Sequence, residues 1–242
     1  FSAHGAYGMG VVTALVSQNT MGVRDVHVPP TDFLRSQLDA VSDDVTIDAI
    51  KIGMLFDAPI IAEVADWLDT LPKRSSQSDD ESPGGSAHGT TSPEGTPAPI
   101  VVLDPVMVAT SGDRLLKADA EKALHDLLRH VDLVTPNIPE LAVLAGTAPA
   151  TTAGEALDQA HAVAAAHDTL VLAKGGHLTD DTVIDALVRP DGSAERFTGP
   201  RIDTRNTHGT GCSISAAIAA LWPRTGDPVL AVDTAKSWMT SS

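Results

Sequence analysis

Ile100-Val101-Val102-Leu103-Asp104-Pro105 reads as a strand buried on both faces that stops on a carboxylate. Four consecutive branched aliphatic residues leave no polar face for solvent, which is the pattern of a parallel strand covered by helices on either side. Residues 10–17 and 169–173 carry the same signature, and residues 49–55 and 133–135 look like shorter strands of the same kind. Between them, residues 31–41, 58–71, 118–129 and 152–167 show helical spacing, several behind an N-cap type residue. Strands alternating with helices predict an α/β fold, a three-layer α/β/α architecture around a mostly parallel sheet with right-handed crossovers. Ligands of such sheets bind outside the carboxyl ends of the strands. The chemistry-bearing residues of this chain fall at those ends.

Lys174 follows the strand at 169–173 and opens Lys174-Gly175-Gly176-His177, so an ammonium is delivered beside glycines that permit close approach of a ligand. A lysine there can neutralise phosphate oxygens; the alternative is a solvated lysine in a hairpin-like turn. Thr135-Pro136-Asn137-Ile138-Pro139-Glu140 ends another strand and starts a helix. Asn137 and Glu140 can supply the oxygen ligands that Mg²⁺ with its water shell prefers, or they can form a capping box, and the two roles are compatible. Asp104 is placed to organise metal-bound water. Gln18-Asn19-Thr20 and Lys51-Ile52-Gly53-Met54 close two further strands. They offer an amide to pair with a heterocycle edge and a thioether to cover a ring face, although core packing also accounts for Met54.

Asn206-Thr207-His208-Gly209-Thr210-Gly211-Cys212 runs into the small apolar stretch 213–221, a glycine turn opening into a helix that begins near Cys212. Glycines let consecutive amides point outward, and the helix adds its unpaired first-turn N–H groups and the positive end of its dipole. A phosphate, or the charge developing during its transfer, suits such a site. A tight connection ahead of a buried Ala-rich helix is the competing reading.

Composition narrows the function class. With 242 residues and 43% hydrophobic content the chain supports a sizeable core. Sixteen Lys and Arg against 32 Asp and Glu, a formal charge of −16, disfavour nucleic acid and anionic membranes as partners. Phosphates must then be held by local amides, a metal and well-placed lysines. No run of about eighteen apolar residues marks a membrane span and no leader pattern opens the chain, so a cytoplasmic location is expected. Cys212 is the single cysteine, which excludes an internal disulfide and leaves a packed or functional thiol. Residues 72–99, rich in Ser, Gly, Pro and acidic residues, are expected to be a disordered surface insertion. Both termini look cut: residues 1–5 resemble the last turn of a helix closed by Gly5, and residues 229–242 read as a helix without a packed continuation.

Taken in order, these motifs, from Gln18-Asn19-Thr20 to Asn206 through Cys212, closely resemble those of the ribokinase-like superfamily. The match is specifically to the hydroxymethylpyrimidine and hydroxymethylpyrimidine-phosphate kinases of thiamine biosynthesis, because sugar kinases of the superfamily have an aspartate where this branch has cysteine. The resemblance implies one kinase domain over residues 1–242, interrupted by the insertion and lacking the family's first strand, glycine-rich loop and C-terminal end. It implies use of ATP and Mg²⁺, a small pyrimidine substrate and a homodimer. Gly209, Thr210, Gly211 and Cys212 correspond to the anion hole, with Cys212 beside the accepting group and Lys174 on the ATP phosphates. Glu140 and Asp104 correspond to the Mg²⁺ positions. Gln18, Met54 and Val106 line the pyrimidine pocket, and Asn137 and Thr207 fall on the nucleotide side. A thiol base requires a lowered pKa, which the helix N-terminus and His208 are placed to supply. Pyridoxal phosphorylation within the same branch, and a non-catalytic pyrimidine- or nucleotide-binding fragment of a larger thiamine-pathway protein, are the alternatives.

Overall fold

The computed structural model describes residues 1–19, 22–73, 97–107, 116–175, 182–200 and 209–241. Among these, β1 (Leu15–Asn19) and β2 (Gly22–His27) form an antiparallel pair of their own. Helix α1 (Thr31–Ser42) leads to β3 (Ala49–Ile52), α2 (Ala58–Leu68) to β4 (Ile100–Leu103), and α3 (Glu121–Leu127) to β5 (Leu133–Val134). Helices α4 (Ile138–Ala145) and α5 (Ala153–His167) precede β6 (Leu170–Ala173). The hairpin β7 (Thr182–Val188) and β8 (Ala194–Pro200) follows, then α6 (Thr210–Thr225) and α7 (Pro228–Ser241).

The main sheet has the order β3-β4-β5-β6-β7-β8. Its first four strands are parallel, and β7 and β8 join antiparallel. Successive side chains of a strand point to opposite faces. Accordingly Val101, Leu103, Val134 and Val171 enter one core with α1 to α5, while Val102, Leu133, Leu172 and Leu187 enter a second core with α6 and α7. The aliphatic run at residues 100–103 is thus spent on two cores, and the expected three-layer α/β/α arrangement with a mostly parallel sheet is what forms.

One sequence expectation fails. Residues 10–17 do not form a buried strand of the parallel sheet; residues 10–14 are irregular, and Leu15–Asn19 pairs with β2 in a largely exposed hairpin. Only Val16 of β1 is half-buried, opposite Val26 of β2, because this two-stranded sheet has one face to cover where the main sheet has two. The segment is anchored by the Thr13 hydroxyl, which donates to the Met54 carbonyl at 2.7 Å, and by the Val12 amide, which donates to Gln37 at 3.1 Å. The hairpin β7–β8 was not anticipated either. Apart from Pro72, Lys73 and residues 97–99, the insertion at 72–99 lies outside the described residues.

Candidate functional site

Strands β3, β4, β5 and β6 end side by side, and each end delivers a polar side chain. Asp104 follows β4 and is 3% exposed, so its charge needs partners. Lys174, following β6, donates to Asp104 Oδ1 at 3.1 Å, and Lys51 of β3 approaches Oδ2 at 4.0 Å. The hydroxyl of buried Thr135, following β5, donates to Asp104 Oδ1 at 3.4 Å. One carboxylate therefore lies between two ammonium groups on opposite oxygens.

Helix α6 closes the arrangement from above. Gly209 caps it in the left-handed region at φ 83°, a conformation that favours glycine, and accepts the Ser213 amide at 2.9 Å. Helical geometry begins at Thr210, so Gly211 belongs to the first turn and not to the preceding loop as the sequence suggested. A Cβ at Gly211 would lie 3.0 Å from Lys174 Nζ and 3.6 Å from Asp104 Oδ2. Glycine thus lets the helix's amide-rich, dipole-positive end come directly onto the Lys174–Asp104 pair. Ser215 braces this turn by donating to the carbonyls of Gly211 and Cys212 at 3.0 and 3.1 Å.

Cys212 is exposed on the same turn, close enough to Asp104, Lys51 and Lys174 to feel their charges. Its pKa is raised, contrary to the sequence expectation. Desolvation by the surrounding protein is the main cause; Lys51 pulls the value down and Asp104 pushes it up again, while Lys174 lowers it further. The thiol stays protonated at neutral pH. His208, expected to help ionise it, lies outside the described residues.

Asn137 and Glu140 form a reciprocal capping box on α4: the Glu140 amide donates to Asn137 Oδ1 and the Asn137 amide to Glu140 Oε2, each at 2.9 Å. The Met107 amide also donates to Glu140 Oε1 at 3.4 Å. Glu140 is 5% exposed, and desolvation raises its pKa against the lowering effect of these amides and of Lys174. A raised folded-state pKa means that the native protein holds this proton more tightly than the unfolded chain. The group's contribution is most favourable below the unfolded pKa and is lost as pH rises through the folded value. We therefore expect the metal-free wild type to lose stability relative to Glu140→Gln as pH rises from 4 to 8, whatever constant offset the lost amide acceptor adds, as read by denaturant unfolding across that range. A constant difference at every pH would contradict the burial argument.

For a divalent cation, Asp104 and Glu140 supply hard oxygens, but their inner positions are taken by lysine and backbone donors. No cluster of three or more His, Cys, Asp or Glu suited to a metal occurs among the described residues. The set fits Mg²⁺ held largely through water and phosphate oxygens, the usual manner of that ion, and not a dedicated protein cage.

Sequence reading missed Asp185 and Lys236. Asp185, 6% exposed within β7, accepts the Gly175 amide at 2.8 Å and pairs with Lys236 of α7. It thereby holds the backbone immediately after Lys174. A charged residue inside an apolar strand was the available signal. Of the remaining expected site residues, Met54 and Val106 are half-buried at the ends of β3 and β4. Gln18 is exposed in the β1–β2 hairpin beside a bulge, and does not close a strand of the main sheet. Thr207 and His177 lie outside the described residues. A cavity of about 700 Å³ opens at the opposite end of the sheet, but its five aspartates (Asp66, Asp69, Asp126, Asp132 and Asp168) outnumber Lys73, Arg129 and His130, which leaves it a poor anion site.

Comparison with known proteins agrees with this geometry. The chain matches the family described as phosphomethylpyrimidine kinase over residues 1–76 and 91–242. It is 52% identical over 218 residues to the thiamine biosynthesis multifunctional protein ThiED of Corynebacterium glutamicum, covering 90% of this chain and 25% of that protein. It is 44% identical over 243 residues to the hydroxymethylpyrimidine/phosphomethylpyrimidine kinase of Escherichia coli, covering 100% of this chain and 82% of the relative. The chain thus spans about a quarter of the length of the Corynebacterium multifunctional protein it matches. Among solved structures, the phosphomethylpyrimidine kinase of Clostridium difficile superimposes with a TM-score of 0.76 at 28% identity, over 99% of this chain and 88% of that one. The pyridoxal kinase of Staphylococcus aureus in complex with AMP-PCP and pyridoxal gives 0.79 at 25% identity, over 99% and 78%.

Proposed function

Because the chain belongs to the phosphomethylpyrimidine kinase family and has the ribokinase-like fold, we propose that it transfers the γ-phosphoryl group of ATP to hydroxymethylpyrimidine and then to its monophosphate. The observation that supports this most directly is the approach of the α6 N-terminus, through Gly211, onto the Lys174–Asp104 pair. Phosphoryl transfer needs positioning and charge stabilisation more than covalent chemistry. The first-turn amides of Gly209 to Cys212 form the anion hole, and Lys174 neutralises the migrating phosphoryl oxygens. Asp185 fixes the Lys174-Gly175 backbone, and Asp104 holds the ammonium in place. Asp104 and Glu140 are the Mg²⁺-side residues, and the ion, when bound, spreads the negative charge of the ATP phosphates. Met54 and Val106 border the pyrimidine, with Gln18 on its polar edge, and Asn137 lies on the nucleotide side. A homodimer is implied by the family resemblance alone.

The test is ADP release by the full-length protein with Mg-ATP and, separately, hydroxymethylpyrimidine, its monophosphate and pyridoxal. Turnover of the first two supports the proposal; turnover of pyridoxal alone moves the substrate assignment, and no turnover removes the kinase reading. The protonated Cys212 thiol adds an expectation about proton transfer. Since a thiol held neutral beside Asp104 is a weak base, Cys212→Ser should retain at least about 1% of wild-type kcat, a smaller loss than the ~10²–10⁴-fold attributed to a general acid–base group. Complete loss in a folded Cys212→Ser protein would restore the thiol as an essential base.

A further inference from the structure

Lys51 is a half-buried charge to which the mechanism above gives no task. Its side chain is 14% exposed, it comes from β3, and its ammonium lies 4.0 Å from Asp104 Oδ2. The strand order places it across the site from Lys174: Lys51 on β3, Asp104 after β4, Thr135 after β5 and Lys174 after β6. Lys174 is committed to Asp104 Oδ1 at 3.1 Å and lies under Gly211, whereas Lys51 makes only a loose pair with the other oxygen. A single carboxylate shared by two ammonium groups leaves one positive charge over, and Lys51, the looser partner, has its donors largely free for a second ligand beside the one Lys174 serves.

The fold also makes room for this ammonium. Lys51 Nζ lies 2.7 Å from the position a Cβ would take on Gly53, so glycine two residues on is what allows the side chain to lie across the strand end. Lys51 lies at the end of the strand that is followed by Met54, the residue assigned to the pyrimidine, whereas Lys174 follows β6 on the other side of Asp104.

We propose that Lys51 binds the phosphate of the acceptor when the acceptor is the monophosphate, and so determines competence for the second phosphorylation; this rests on the kinase reading above. The two acceptors make different demands. The alcohol must lose a proton as its oxygen bonds to the γ-phosphorus. The monophosphate is largely a dianion at neutral pH, with a second pKa of about 6, so no proton need leave. One of its non-bridging oxygens forms the new bond to the γ-phosphorus, the bond from that phosphorus to the β–γ bridging oxygen breaks, and ADP departs with the electron pair. The difficulty of this step is bringing one phosphate up to another, and an ammonium on the acceptor side opposes that repulsion.

The experiment compares kcat/KM for hydroxymethylpyrimidine and for its monophosphate in the full-length wild type, Lys51→Met and Gly53→Ala, with thermal unfolding as the folding control. Lys51→Met is expected to lower kcat/KM for the monophosphate by about 10- to 100-fold more than for the alcohol, the value of a charge-assisted contact. Gly53→Ala, which keeps the charge but displaces the ammonium, should shift the ratio in the same direction by less. Equal losses on both acceptors, or a loss confined to the alcohol, overturn the assignment while leaving the kinase reading intact. A wild-type protein that turns over neither acceptor overturns both.

Discussion

Gly211→Asp is expected to lower kcat/KM for either acceptor by about 10³-fold or more, with thermal unfolding as the folding control. The position lies in the first helical turn without positive φ, so a side chain is tolerated by the backbone. An acidic residue is also acceptable to the dipole of a helix N-terminus. What it cannot do is leave the anion hole empty. Its Cβ would start 3.0 Å from Lys174 Nζ and 3.6 Å from Asp104 Oδ2, and the new carboxylate would then take the ammonium and the first-turn amides for itself. Loss of one preorganised donor already costs about 10²–10³-fold in comparable sites, and here several are occupied by a permanent anion. ADP release at saturating Mg-ATP measures the effect. Activity within tenfold of wild type in a folded protein would mean that the phosphoryl group does not pass at the α6 N-terminus.

Lys174→Met should cost about 10²–10³-fold in kcat, and Lys174→Arg should recover little of it. The ammonium is held 3.1 Å from Asp104 Oδ1 under the Gly211 turn, a space for a compact point charge. A guanidinium is planar, wider and set to pair in bidentate fashion, so it would engage Asp104 and push against α6. Removing the ammonium leaves Asp104, 3% exposed, with Thr135 and the more distant Lys51, so some loss of stability accompanies the loss of rate. The kinetic signature separates the two effects: a residue that acts mainly on the moving phosphoryl group lowers kcat with KM for ATP changed less. Recovery of wild-type kcat in Lys174→Arg would show that only charge, and not its position, matters.

These expectations rest on features of unequal visibility in the sequence. Asp104, Lys174 and the Gly209 to Cys212 turn were legible because each ends an apolar strand or opens a helix, and α/β crossovers bring those ends together without further information. The capping box of Asn137 and Glu140 is a local spacing and formed as such. Asp185 and Lys236 were missed because their pairing joins β7 to α7 across 51 positions of chain. The direction of the Cys212 pKa was misjudged for a related reason: the helix start is local, whereas the desolvation that dominates comes from residues packed from elsewhere in the chain.

The amino-acid sequence by itself determined the layered α/β arrangement and which strand ends carry charge. Both follow from hydrophobic periodicity and turn chemistry, which act over a few residues. Only the tertiary structure decided that residues 15–19 leave the main sheet for a hairpin and that β7 and β8 extend it antiparallel. It alone decided that Asp104 is shared by Lys51 and Lys174 and that Cys212 remains a thiol. Strand partnership and burial depend on what packs from distant parts of the chain, and the energy of a charge in a protein depends on those neighbours more than on its own position in the sequence.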